Sequence, residues 1–127
     1  MKFLKKSLLP VAVATIWISL SEFARNEFLL KNYWIEHYQQ KGLIFPSEPV
    51  NGAIWGLWSV ILAILIFQLI KKFSFLQTVL LSWLAGFVMM WLVIGNLGVL
   101  PYGILIAAVP LSILEILVAA YLIRKLT

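Results

Sequence analysis

Four long apolar runs, set apart by short polar or basic breaks, organise the chain. They cover Leu8–Leu20, Gly52–Ile70, Phe75–Ile94 and Tyr102–Ile123. The apolar residues come in blocks and do not alternate with polar ones, which is the pattern of membrane-spanning helices. Between the first two runs lies the one long polar stretch, Ser21–Asn51 (SEFARNEFLLKNYWIEHYQQKGLIFPSEPVN). It holds four of the five acidic residues and the only histidine. The pattern predicts an all-α, polytopic membrane protein: a four-transmembrane-helix bundle with an interfacial segment between helices 1 and 2.

The first run follows Lys2, Lys5 and Lys6 and imitates a secretory signal peptide, a basic start before a short apolar core. Glu22-Phe23-Ala24 is a poor cleavage site, so the preferred reading is an uncleaved first helix over about residues 7–30 or beyond. Leu20, Phe23, Leu30 and Trp34 are expected to continue one apolar face past the charged residues. Glu27 and Lys31, four apart in the favourable order, support continued helix. Gly42 ends that element, and Pro46 and Pro49 argue against regular helix nearby. Leu43-Ile44-Phe45-Pro46 is apolar enough to lie in an interface. Asn51-Gly52 then turns the chain into the second helix, which leaves an outer segment of about residues 31–51.

The second helix is expected over 52–70, stopped by Lys71-Lys72. The third covers 75–94 and ends at Gly95-Asn96 and Gly98. The fourth, 102–123, is entered through Pro101 and closed by Arg124-Lys125. Each has the roughly 20 residues that ~30 Å of hydrocarbon requires at about 1.5 Å per residue. Pro110 is expected to kink the fourth and free the carbonyl of Ile106.

Composition strengthens this picture. A chain of 127 residues is one domain by length. Hydrophobic residues reach 63% and charged residues only 12%, against about 45–50% and 25% in soluble domains. The absence of cysteine excludes disulfides, thiolate nucleophiles and cysteine metal ligands. The net charge of +5 is no nucleic-acid footprint, because the basic residues sit at the ends of apolar runs. With the N-terminus inside, Lys2, Lys5, Lys6, Lys71, Lys72, Arg124 and Lys125 collect on the cytoplasmic side and only Arg25, Lys31 and Lys41 outside. Both termini are therefore expected in the cytoplasm, with a bacterial inner membrane as the setting.

Small residues that permit close approach mark helix interfaces in lipid. The second helix carries Gly52, Gly56, Ser59 and Ala63 on one face, the fourth repeats the spacing with Ala108, Ser112, Glu115 and Ala119, and the third offers Thr78, Ser82, Ala85 and Gly86. Such faces suit packing within the bundle, self-association or a larger membrane complex.

Two polar groups stand out. Glu115 is the only ionisable residue deep in an apolar run, and an intramembrane carboxylate is a functional hypothesis by default. Counting from Ile123 sets it about 12 Å from the cytoplasmic boundary, with Ser82 or Trp83 and Thr15 expected at its depth and no lysine or arginine there. Its carboxyl is then expected to be protonated at neutral pH, as a proton-binding group or as a neutral interhelical hydrogen-bond donor. The second group is outer: Glu22, Arg25 and Asn26 on the first helix, joined by Glu48, Asn51 and Asn96 and flanked by Trp55 and Trp58. Together these make a candidate ligand-binding pocket with Arg25 as anchor for an anionic group. The alternative is interfacial chemistry, in which Arg25 snorkels to the headgroups, the asparagines cap turns and the tryptophans form an aromatic belt.

His37 with Glu36 and Glu48 is too scattered for a metal site, so no metal ligand is assigned. No catalytic residue or cofactor is assigned either. No Gly-rich phosphate loop or Ser/His/Asp arrangement occurs, and there is no aspartate at all.

Size and layout invite comparison with small multidrug-resistance transporters, which use a glutamate of the first helix. Glu22 lies too near the outer end of its helix, the first loop is too long, and the strong basic bias opposes dual insertion, so that identity is rejected. Ser21-Glu22-Phe23, Phe45–Ser59 (FPSEPVNGAIWGLWS) and Asn96–Pro101 (NLGVLP) resemble small bacterial four-helix membrane proteins of unassigned chemistry, a resemblance that implies the fold alone. The sequence thus points to a non-enzymatic structural or accessory subunit. The alternative is a small-molecule or ion transporter or binding protein with an outward polar pocket and a buried protonatable carboxylate. Nothing in it names a substrate.

Overall fold

The computed structural model describes residues 4–127, and no strand occurs among them; Lys2, counted above for orientation, lies outside the described residues. Five helices carry the chain: α1 (Lys5–Leu29), α2 (Lys31–Gln40), α3 (Pro49–Ile70), α4 (Phe75–Asn96) and α5 (Tyr102–Leu126). All but α2 are long and apolar enough to cross a membrane.

Helix boundaries follow local chemistry. Pro49 does not delay α3 but opens it, three residues earlier than the pattern suggested, because proline suits the first helical turn, where its missing N–H costs nothing. Glu48 and Asn51 close that end as a reciprocal cap, Asn51 Oδ1 accepting from the Glu48 N–H at 2.9 Å. Ser74 and Gln77 do the same for α4. Gly42 (φ +73°) and Gly98 (φ +80°) end α2 and α4 in the left-handed region open to glycine. There the N–H groups of Leu43 and Val99 return to Tyr38 and Ile94.

The segment between the first two long helices departs most from expectation. α1 does not run on into Trp34: at Leu30 the backbone leaves the helix (φ −116°, ψ 3°), and α2 starts in a new direction. Leu20 and Phe23 point outward, 62% and 56% exposed, whereas Leu30 is buried, so the single continuous face does not form. α2 is anchored instead by Phe45, which folds back between Trp34 and Tyr38. It is also tied by His37, whose Nε2 donates to the Gly98 carbonyl at 2.9 Å.

In the bundle α1 lies against α3 and α5, and α4 packs on the same two helices. The main core is built from Ala14, Ile18, Leu62, Ala63, Ile66, Phe87, Ile116 and Ala119. A smaller one, Leu30, Leu100, Ile104 and Ala108, joins α2 to the loop before α5. The small-residue faces run through this seam: Ser59, Ala63, Thr78, Ser82, Gly86, Ala108, Ser112, Glu115 and Ala119 are all buried. Gly52 and Ala85 are exposed and lie outside it. Large aliphatic side chains point outward in compensation, with Ile16, Leu92 and Ile106 at 61%, 70% and 88% exposure.

A buried ionic triad as candidate functional site

Glu22 and Arg25 occupy one face of α1 at the i,i+3 spacing that lets side chains meet. They do meet: Arg25 Nη2 donates to Glu22 Oε1 at 2.5 Å, with both side chains buried. The same guanidinium reaches α5, where Nη1 lies 3.4 Å from Glu115 Oε1. Glu115 is wholly buried. The three ionisable groups therefore form one triad, two carboxylates sharing a single guanidinium.

The surroundings lock this geometry. Asn26 Nδ2 donates to Glu22 Oε2 at 3.0 Å and to the Glu22 carbonyl at 3.1 Å. Trp34 Nε1 of α2 in turn donates to Asn26 Oδ1 at 3.2 Å. Trp17 Nε1 donates to the backbone carbonyl of Glu115 at 2.9 Å, pinning α1 against α5. From α4 the ring of Phe87 faces the guanidinium at 5.3 Å, within cation–π range. Phe87 is itself held edge-on by Trp58 of α3 at 5.5 Å. Every helix thus contributes to the first or second layer around Arg25.

Local backbone shape places the two central residues. Arg25 lies in a π-helical segment, residues 24–29, and Phe87 in another, residues 84–88. Such wide turns shift side-chain register and are frequent at functional sites. Here they set the guanidinium and its ring face to face.

Glu115 Oε2 makes no hydrogen bond within 3.5 Å among the described residues, as is true of Thr78 Oγ1 and Ser82 Oγ, although the Glu22 and Ser21 side chains lie close to the Glu115 carboxyl. Glu115 and Arg25 also line an open groove of about 270 Å³ along the α1–α5 seam, with Trp17, Ser21 and Leu111 at its wall and the exposed Leu20, Leu29 and Leu114 at its rim. A buried ion set with excess negative charge, beside a groove, is suited to take up a proton or a small cation.

Two expectations need correction. Glu115 does have a cationic partner, Arg25, nearer the C-terminal end of α1 than Trp17, whose indole reaches the Glu115 carbonyl. Side chains tilt toward the N-terminus of their own helix. In the antiparallel pair α1 and α5 these tilts converge, and the length of the arginine closes the remaining distance. Thr15, expected at this depth, donates to its own helix at the Val11 carbonyl. Trp83 donates to Ser112 Oγ at 2.9 Å and does not touch the carboxyl. Ser82 is buried but unpaired.

The second correction concerns the outer pocket. Glu22, Arg25 and Asn26 come together, but Glu48 and Asn51 hydrogen-bond each other at the start of α3. Asn96 is exposed at the end of α4, and Trp55 packs edge-on against Trp58. The six do not form one pocket. The missed members are Trp34, Trp17 and Phe87. Only the apolar neighbourhood of Arg25, a charge that burial obliges to find partners, signalled that such groups were needed.

No family model matches the chain, and neither a curated protein nor a solved structure is found to match it.

Proposed function

We propose that the chain is a multi-pass, non-enzymatic membrane protein that binds, and in cycling can carry, a proton or a small monovalent cation at the Glu22–Arg25–Glu115 triad. The observation that carries this reading is that two buried carboxylates, Glu22 and Glu115, share the single Arg25 guanidinium beside the α1–α5 groove. With all three groups ionised the triad holds one more negative than positive charge. A proton or monocation on Glu115 removes that excess, whereas an anion would add to it, so Arg25 is the internal counter-ion and not an anchor for an anionic ligand. The setting is a bacterial inner membrane with both chain ends in the cytoplasm. Lys5, Lys6, Lys71, Lys72, Arg124 and Lys125 then gather on one side. On the other side Arg25 is neutralised within the bundle and Lys31 by Glu27 at 3.3 Å. Leu43 and the 92%-exposed Ile44 dip into the outer interface.

Infrared spectroscopy of glutamate-labelled protein in lipid, titrated with pH and with tetramethylammonium as the monocation probe, tests this. The reading expects a carboxyl band that titrates, moves its midpoint with the probe, and disappears in Glu115→Gln. A band indifferent to both, or unchanged in that variant, refutes it.

A second reading, a structural or accessory subunit, is favoured by a different observation. Gly52 and Gly56 meet open space, with nothing within 4 Å of a Cβ added at either, so the outer half of the α3 small-residue face has no partner among the described residues. Gly-x-x-x-Gly faces of this kind pack against a second helix in membranes. Gly56→Leu should then abolish self-association or partner capture in chemical cross-linking while leaving the monomer folded; cross-linking that survives the substitution counts against this reading.

A further inference from the structure

The opposite end of the bundle carries a second cavity, of about 430 Å³, where α1 begins, α3 ends, α4 starts and α5 ends. Its polar lining is Lys6, Ser7, Lys71, Arg124 and Thr127, over a base of phenylalanines. Two of the three cations are held in place by those rings. Lys71 Nζ sits 4.0 Å from the Phe67 centroid and Arg124 Cζ 4.4 Å from that of Phe75. No salt bridge reaches any of the three among the described residues. The five glutamates all lie elsewhere: Glu22 and Glu115 in the triad, Glu27 and Glu36 on or beside α2, and Glu48 at the start of α3.

Basic residues at helix C-termini complement the macrodipole and fix orientation, which accounts for Lys71, Lys72, Arg124 and Lys125 one by one. The orientation rule covers Lys6 at the beginning of α1 as well, but it sets only the side of the membrane and does not call for cations from three helices to line one hollow. Lys72 and Lys125 are exposed, as Lys6, Lys71 and Arg124 are, but neither of the two lines the cavity. Three cations without an ion pair among the described residues, with Ser7 beside them over an apolar floor, are the chemistry of a phosphate-bearing anion, and the volume lies in the range of small-ligand sites, roughly 300–1,000 Å³. Basic pockets between helices at the cytoplasmic side bind anionic headgroups in this manner.

We infer that this cavity is a binding site for a phosphate anion, held by Lys6, Lys71 and Arg124. The source is either the headgroup of an anionic phospholipid or free phosphate. The lipid source rests on the membrane reading above, whereas the site itself is independent of the triad.

The full chain in neutral detergent, observed by native mass spectrometry with dioleoylphosphatidylglycerol or dioleoylphosphatidylcholine, tests the lipid source. Phosphorus NMR line broadening of inorganic phosphate tests the free one. Retention of one phosphatidylglycerol per chain, in preference to phosphatidylcholine, supports the lipid source. Each of Lys71→Gln and Arg124→Gln should weaken it about five- to tenfold, with Lys125→Gln, which removes the same charge beside the cavity, leaving it unchanged. Phosphate broadening that responds to the same variants, without lipid preference, supports the free source. Binding of neither, or equal weakening by Lys125→Gln, overturns the site. A triad variant such as Glu115→Gln leaves either result intact, so failure here and failure of the proposed function are separable.

Discussion

Removing Arg25 should be the most damaging single polar change in the chain. Its guanidinium bonds Glu22 at 2.5 Å and approaches Glu115 at 3.4 Å, with all three side chains at most 6% exposed. Arg25→Met keeps the length and apolar volume but leaves two carboxylates facing each other with no cation. Breaking a buried ion pair from one side costs about 3–5 kcal/mol, because the orphaned charge keeps its desolvation penalty. The lost Phe87 contact adds roughly 0.5–2 kcal/mol. The sum corresponds to at least a hundredfold shift toward the unfolded state, at ~1.4 kcal/mol per decade. Unfolding in dodecyl sulfate mixed micelles, followed by far-ultraviolet circular dichroism, reads this directly. The companion variant, Glu22→Met/Arg25→Met/Glu115→Met, removes the whole ion set and leaves no orphan. It should recover most of the loss, since apolar replacement of a complete buried pair is often neutral or stabilising. A cost below about 1 kcal/mol for Arg25→Met, the range of an exposed pair, refutes the argument. So does a triple variant no more stable than the single.

Three further outcomes follow from local geometry. Trp83→Phe deletes the hydrogen bond to Ser112, worth about 0.6 kcal/mol on average between membrane helices, so the same unfolding assay should show a small loss well below that of Arg25→Met. Gly98→Ala forces a Cβ into φ +80° at a cost of roughly 1–2 kcal/mol; it should lower the melting temperature and loosen α2, read as faster hydrogen exchange around His37. Gly86→Ala places a Cβ 3.1 Å from Leu62 Cδ1, the end of a flexible side chain. It should therefore be tolerated within about 1 kcal/mol, whereas Gly86→Leu should cost about 1–3 kcal/mol by overpacking. Fusion of a cytoplasm-active reporter after Thr127 should give signal; signal only from a periplasm-active reporter contradicts the proposed orientation.

Much of the architecture was legible in the pattern of apolar blocks, because block length reports helix length directly. The four long helices, the stops at Gly42 and Gly98, and the burial of Ala108, Ser112, Glu115 and Ala119 along one face all follow from periodicity and from glycine's backbone freedom. A bound near residue 30 is legible in the sequence, but the separate helix that starts at Lys31 is not, since Glu27 and Lys31 satisfy the helix rules on both sides of Leu30 and only the packing of Leu30 under α2 decides the turn. Pro49 looks like a barrier in the sequence, yet it stands at the one helical position it favours, so α3 starts before the expected residue 52. The triad was half legible. Glu22 and Arg25 follow from spacing, and Glu115 from its isolation. Their union was hidden because depth counted along Cα positions ignores both the opposed tilt of side chains on antiparallel helices and the reach of arginine. Glu48 and Asn51 were drawn into the site by sequence proximity, whereas their hydrogen bonds are consumed by capping α3.

The measurement that bears most directly on the central claim is a nitrogen–carbon dipolar recoupling experiment by solid-state NMR, on protein in phospholipid bilayers labelled at arginine side-chain nitrogens and glutamate carboxyl carbons. Arg124→Lys leaves Arg25 as the only labelled arginine. The account predicts strong coupling of Arg25 to carboxylates, weakened but present in Glu22→Gln through the 3.4 Å approach to Glu115, and lost when Glu115→Gln is added. Coupling of Arg25 to lipid phosphorus in place of carboxylate carbon contradicts it: the guanidinium would then extend to the headgroups, and the buried triad would not exist.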